Sequence, residues 1–236
     1  MGFEFNTFSK QFSSCKSCKE RFSAVALLND DQLEGLQQNC REITLKKNDH
    51  IYHEGSLTSH IVYLRDGLVL EYKKSENGRD QVVQIIKSLS YLGLNSLFGD
   101  RINHYSCKAL NDVKVCYIDV ETFKNLVRSN GDFAYEILVS VSRDNLNSHR
   151  RFLNINAKQT FGKVADALLY FGTIIFGSNT FKLPITRDEL GSLLGITRES
   201  TTRALAKFQN EGFIKISGSN ITLLQPEQLQ KISKTG

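Results

Sequence analysis

The sequence predicts an α+β chain: a double-sheet β-roll, then one long helix, then a C-terminal winged helix-turn-helix. Three observations predict it. Between about residues 42 and 120, short β-branched and aromatic runs alternate with turn residues. After Asn130-Gly131 the apolar spacing changes to alternating steps of three and four. Pro184 to Phe208 then reads as two short capped helices joined at a glycine, with a hairpin behind them.

The bulk numbers fit this division. A chain of 236 residues is long enough for two domains, each with its own core. Its 40% apolar and 23% charged residues exclude a disordered or fibrous chain. The net charge of +5 permits a polyanionic partner without requiring one. No apolar run approaches the roughly 18 residues of a membrane span, and the segment from Met1 to Phe5 lacks a signal-peptide core. The expectation is a cytoplasmic protein with no membrane contact. An odd number of cysteines, five, points to reduced thiols and not to a disulfide framework.

Four segments follow in order: 1–27, carrying Cys15 and Cys18; a β-roll sensor domain, 28–130; a dimerisation helix, 131–156; and the winged helix-turn-helix, 157–236. Asn29-Asp30-Asp31 opens a first helix, with a capping residue, acids in the first turn, and Leu33 and Leu36 on one face. Predicted strands are Ile43–Leu45, Ile51–His53, Ile61–Leu64, Leu68–Tyr72, Val82–Ile86 and Val113–Ile118. Turns such as Asn48-Asp49, Asp66-Gly67 and Asn77-Gly78 separate them. So many short strands imply a double-sheet roll.

In the long helix, Leu138, Val141, Asn145, Ser148, Phe152 and Ile155 form the seam of a two-stranded coiled coil with a polar middle. A helix lying on its own β-domain is the alternative. A second amphipathic helix, roughly Lys158 to Phe176, ends at Gly177-Ser178-Asn179.

In the helix-turn-helix, Thr186 caps the first helix with Glu189 three residues on, and Leu190, Leu193 and Leu194 are its buried face. Gly195 supplies the positive φ of the turn. Thr197 caps the second helix, whose Thr201, Leu205 and Phe208 pack inward and leave Arg198, Glu199, Thr202 and Arg203 outside. A recognition helix needs this arrangement: arginine grips guanine O6 and N7, and glutamate accepts from cytosine N4. Thr186, Arg187, Thr197, Ser200 and Lys207 are candidates for phosphate contacts, which set register without reading sequence. Gly212 to Leu223 reads as a two-stranded wing with its turn at Gly218-Ser219-Asn220.

These parts and residues resemble the cyclic-AMP receptor protein / fumarate-nitrate-reduction regulator superfamily, from about residue 15 to 225. The helix-turn-helix pattern runs without a gap from Ile185 to Arg203, and the roll carries Glu54-Gly55, Tyr63 before Asp66-Gly67, and Gly93. The resemblance implies a homodimeric transcription regulator, not an enzyme, that binds a palindromic operator in double-stranded DNA and works with RNA polymerase. By the same match Arg198, Glu199 and Arg203 read bases. Two rival classes fare worse. A small-molecule-binding β-roll module without a DNA role leaves the Ile185–Arg203 pattern unexplained. A metal-dependent β-roll enzyme needs a His and carboxylate cluster that the sequence does not display.

The effector is a separate matter. The family's cyclic-nucleotide branch has Gly-Glu, then Arg-Ser or Arg-Thr about ten residues later. Here Gly93-Leu94-Asn95 and Asn103-His104-Tyr105-Ser106 stand in those places, and Arg101 lacks the following Ser or Thr. Leucine cannot accept from a ribose hydroxyl, so cyclic AMP is not expected to bind. The oxygen-sensing branch holds an iron–sulfur cluster on four cysteines. Cys15, Cys18 and Cys116 match three of those places, while the remaining one falls near Ser23 or Ala24. Cys40, aligned with a helix end, is read as a small hydrophobe, and Cys107 is the other candidate fourth ligand. A cluster fragment, a zinc site, a thiol redox pair and a structural remnant all fit Cys15-x-x-Cys18. His50, His53 and His60 are read as solvated or core histidines.

Overall fold

The computed structural model describes residues 23–75 and 80–235. Cys15, Cys18 and the Asn77-Gly78 turn lie outside them.

Helix α1 (Ser23–Ala26) leads into α2 (Asp30–Gln38), which Asn29 and Gln32 close with a reciprocal capping box. Leu33 and Leu36 are its buried face, as the spacing predicts. The roll follows: β1 (Cys40–Leu45), β2 (His50–Tyr52), β3 (His60–Asp66), β4 (Leu68–Lys74), β5 (Asp80–Lys87), β6 (Ser90–Leu92), α3 (Leu94–Phe98), β7 (Ser106–Ala109) and β8 (Val113–Asp119). Two four-stranded sheets result, in the orders β1-β8-β3-β6 and β2-β7-β4-β5, with antiparallel neighbours throughout. The strand pattern in the sequence misses β6 and β7, because Ser90-Tyr91-Leu92 and Ser106-Cys107-Lys108-Ala109 are short and mostly weak in strand propensity. Cys40 opens β1 and does not end a helix, a correction; it still packs against an apolar cluster. The turns at Asn48, Gly55 and Gly67 do adopt positive φ. Gly67 has a second reason to be glycine: a β-carbon there would stand 2.7 Å from Val113 Cγ1.

Helix α4 (Val120–Ser129), capped by Asp119, closes the roll, and α5 (Gly131–Ala157) runs for 27 residues. Next come α6 (Thr160–Tyr170), a π-helical turn (Phe171–Ile175), β9 (Thr180–Lys182), α7 (Arg187–Leu194), α8 (Arg198–Asn210), β10 (Ile214–Ser217), β11 (Asn220–Leu223) and α9 (Pro226–Thr235). The wing gains β9 as a third strand, in the order β10-β11-β9. Helix α9 seats Leu229 on α6; its few apolar positions left no period to read. Among the described residues no helix is long and apolar enough to cross a membrane.

The second sheet is covered on both faces. Val69, Cys107 and Ala109 point into the roll with Ile51, Leu64 and Val115. Leu68, Leu70, Tyr72, Val82 and Ile85 point the other way, into one continuous core with Leu168, Leu190, Leu194, Leu205 and Phe208. The helix-turn-helix unit is therefore seated on the back of the roll. This double burial explains why β4 starts as an unbroken buried run and not as an alternating one.

Candidate nucleic-acid interface

The capping box at α7 is formed: Thr186 Oγ1 accepts from the Glu189 N–H at 3.1 Å, and the Thr186 N–H donates to Glu189 Oε2 at 2.8 Å. Gly195, at φ 63°, ends the helix in the left-handed region. Gly191 has a role that periodicity does not reveal. A β-carbon on it would lie 2.8 Å from the Ile196 carbonyl oxygen and 3.1 Å from Thr201 Oγ1, so its absence lets the turn and α8 close onto α7.

Thr197 caps α8 by accepting from the Ser200 N–H at 3.1 Å. Thr201, Ala204, Leu205 and Phe208 are buried, and Thr201 satisfies its hydroxyl by donating to the Thr197 carbonyl at 3.0 Å. With that face committed, Arg198, Glu199 and Arg203 are exposed together and Thr202 is half-buried beside them. Arg203 Nη2 donates to Ser200 Oγ at 3.4 Å, a loose brace for an exposed arginine. Thr186, Arg187 and Thr197 are exposed at the two helix starts, and Ser200 is half-buried. Lys207 has an occupation of its own, sitting 4.5 Å from the centre of the Phe161 ring. The wing turns tightly at Gly218, φ 61°, with Ser217 opposite Asn220.

Glu189 does more than cap. Lys108, on the outer face of β7, reaches its Oε1 at 3.0 Å. Burial alone would raise the Glu189 pKa, but the Thr186 N–H and the Lys108 ammonium outweigh it and hold the carboxyl below its ordinary value. No local signal links residues 108 and 189.

Inside the roll, four strands align a polar row. Tyr52 lies opposite Cys107, Cys107 opposite Glu71, and Glu71 opposite Gln84. Tyr52 donates to Glu71 Oε1 at 2.6 Å, Gln84 Nε2 donates to Oε2 at 2.5 Å, and Arg151 of α5 donates to Gln84 Oε1 at 2.8 Å. Glu71 is buried. Burial, with the Glu71 charge adding to it, pushes the Cys107 thiol well above its usual range. Cys107 packs inside the roll with Val69 and Ala109. Cys116 is buried on β8, opposite Glu42 and Tyr63. Among the described residues no group of three His, Cys, Asp or Glu stands close enough to hold a metal ion. His50 stacks on His53 at 4.4 Å and meets the Tyr72 hydroxyl. Leu94 is buried at the start of α3, in the core under α2 and α4.

On α5 the apolar positions divide. Val141 is half-buried against the roll core, and Ile155 is half-buried with its methyl 3.2 Å from where a Gly195 β-carbon would stand. Asn145 and Ser148 are exposed. Tyr135, Leu138, Leu146, Phe152 and Leu153 are each 61–68% exposed. Tyr135, Leu146 and Leu153 lie off the seam that the sequence period picks out.

The comparisons with known proteins match both halves. Residues 42–130 fit the model of the cyclic nucleotide-binding domain, and residues 162–232 fit that of the Crp-like helix-turn-helix domain. The chain belongs to the CRP/FNR family of transcription regulators. The fumarate and nitrate reduction regulatory protein of Vibrio cholerae is 24% identical over 226 residues, covering 93% of this chain and 90% of the relative. The structure of FixK2 from Bradyrhizobium japonicum superposes with a TM-score of 0.76 at 21% identity, over 84% of this chain and 98% of that one. A crp/fnr-family protein from Eubacterium rectale gives 0.75 at 24% identity, over 92% and 100%. This regulator is accordingly a DNA-binding protein of transcription and not an enzyme.

Proposed function

We propose that this CRP/FNR regulator acts in the cytoplasm as a homodimer on a palindromic operator, without cyclic AMP, and hands its signal to RNA polymerase. The observation that carries the reading is the split of α8: one face is wholly committed to the core, and the other offers Arg198, Glu199 and Arg203 together at the capped end, with Thr202 at their side. These four residues read base edges. Thr186, Arg187, Thr197, Ser200 and Lys207 set register on phosphates. Helix α5 supplies the dimer contact along Leu138, Val141, Asn145, Ser148, Phe152 and Ile155, with the polar Asn145 and Ser148 in the middle; the exposed Leu138 and Phe152 on either side support a partner helix there. Independence from cyclic AMP rests on Leu94, which is buried and has no acceptor, and on the lack of an arginine followed by Ser or Thr in the segment up to Ser106.

Selection from random-sequence duplexes, with sedimentation of the protein, tests this. An inverted repeat whose half-sites are centred about 10 base pairs apart, bound by a dimer, is the expected result. A stable monomer, or a non-repeating site, overturns it, as does micromolar binding of cyclic AMP by calorimetry.

A further inference from the structure

We propose that strand β5 is a mechanical link between the long helix α5 and the DNA-reading helices, gripped by Arg151 on one side and by Ser192 on the other. The proposal rests on the reading of α5 as the dimer helix.

Strand β5 is the edge of its sheet, so one row of its backbone groups has no neighbouring strand. Ser192 of α7 fills that row. Its hydroxyl donates to the Asp80 carbonyl at 3.0 Å and accepts from the Val82 N–H at 2.8 Å. Residues two apart on a strand present these groups on one side, so a single oxygen serves both. Two residues further along, Gln84 turns into the roll, accepting from Arg151 and donating to Glu71. Glu71 is held in turn by Tyr52. The strand is thus tied to α5 through one side chain and to α7 through its backbone, only two residues apart.

Packing makes the tie stiff. Val82 and Ile85 share a core with Leu190 and Leu194, and Lys108 pairs with Glu189 on the same face of the sheet. A close-packed interior transmits displacement instead of absorbing it. A turn of α5 about its axis pulls on Gln84, shifts β5, and arrives at Ser192 in the helix that seats α8. The end of α5 also touches the reading unit directly, with Ile155 beside Gly195 and Asn154 Nδ2 donating to Asp166 Oδ2 at 3.1 Å, so β5 is a second route that runs parallel to this joint.

The test is reciprocal. Hydrogen exchange is measured on the full-length protein without DNA, for the native chain, Gln84→Leu and Ser192→Ala. Linkage requires each change to be felt at the other end. Gln84→Leu should speed exchange in residues 187–194, and Ser192→Ala should speed it in residues 148–157. Changes confined to the altered element overturn the proposal. On a selected operator duplex each variant should lower affinity about three- to tenfold, and the double variant no further. A fully additive double variant also overturns it. If Gln84→Leu does not fold, Arg151→Lys replaces it, keeping the charge and losing the planar fork. Exchange is read without DNA, so a protein that proves monomeric still tests the β5 link, while sedimentation judges the dimer reading separately.

Discussion

The helix-turn-helix and the interior of the β-roll both hold polar groups against a core, and they do it by different means. At the two helix starts and on the inner face of α8 the polar groups are satisfied within a few residues: Thr186 with Glu189, Thr197 with Ser200, Thr201 with the Thr197 carbonyl. Only on the side of α7 that meets the sheet do Glu189 and Ser192 also bond to distant partners. In the roll, Glu71 is satisfied by Tyr52 and Gln84 from two other strands, and Gln84 by Arg151 from a helix 67 residues on. Local satisfaction leaves the other face of α8 free for a ligand. Distant satisfaction ties strands to a helix. The reading unit is therefore built to present groups, and the roll interior to connect elements.

Removing the core beneath the presented face gives the largest expected effect. Phe208→Ala should lower stability by about 3–5 kcal/mol in urea unfolding, since Phe208 is fully buried between α6 and the wing. A loss below about 1 kcal/mol would mean that the unit's core is not what holds α8.

The roll interior comes next. Glu71→Ala leaves the Tyr52 hydroxyl and the Gln84 amide without their acceptor, at a cost of about 1–3 kcal/mol in all, since Gln84 is only half-buried and its amide can turn to other partners. Glu71→Gln keeps one acceptor oxygen and should cost less. Equal losses in the two variants would show that charge, and not the shared acceptor, matters at this site.

On the presented face, Arg203→Ala should cost roughly 1–3 kcal/mol on the selected operator and relax preference at one base pair. Lys207→Ala should weaken cognate and random duplexes alike and flatten the salt dependence. It should also lower stability slightly through the lost contact with Phe161. Uniform losses in both variants would remove Arg203 from base reading.

The smallest effect is at the seam between the two regions. The Glu189 carboxyl titrates below its ordinary value of 4.5, so its stabilising contribution is complete above that pH and is lost as the pH falls through the lowered value. Urea unfolding at pH 7 and near pH 3.5 should therefore show a larger acid loss in the native protein than in Lys108→Met, in which the tie to Lys108 is already gone. Parallel acid losses would leave the Lys108–Glu189 pair without a share in the docking.

Legibility follows the same division. Asn29, Thr186, Gly195 and Thr197 act within one helical turn, and their roles are readable from spacing alone. The strands that carry β-branched runs are readable too, whereas β6 and β7, poor in such residues, are not. Gly191 is invisible because its reason is a close approach and not a φ angle.

The sequence by itself determined the order of parts, the two caps, the turn at Gly195, the wing hairpin and the outward set Arg198, Glu199 and Arg203. All of these rest on periodicity and on bonds spanning three or four residues. Tertiary structure alone decided that the reading unit sits on the back of the roll, that Glu71, Cys107 and Gln84 share one row, and which side of α5 stays bare. A period says which face of an element is apolar, and says nothing of what will cover it. The Ser192 hydroxyl meets the Val82 amide across 110 residues, and only the packing of two sheets and a helix pair brings such groups within 2.8 Å.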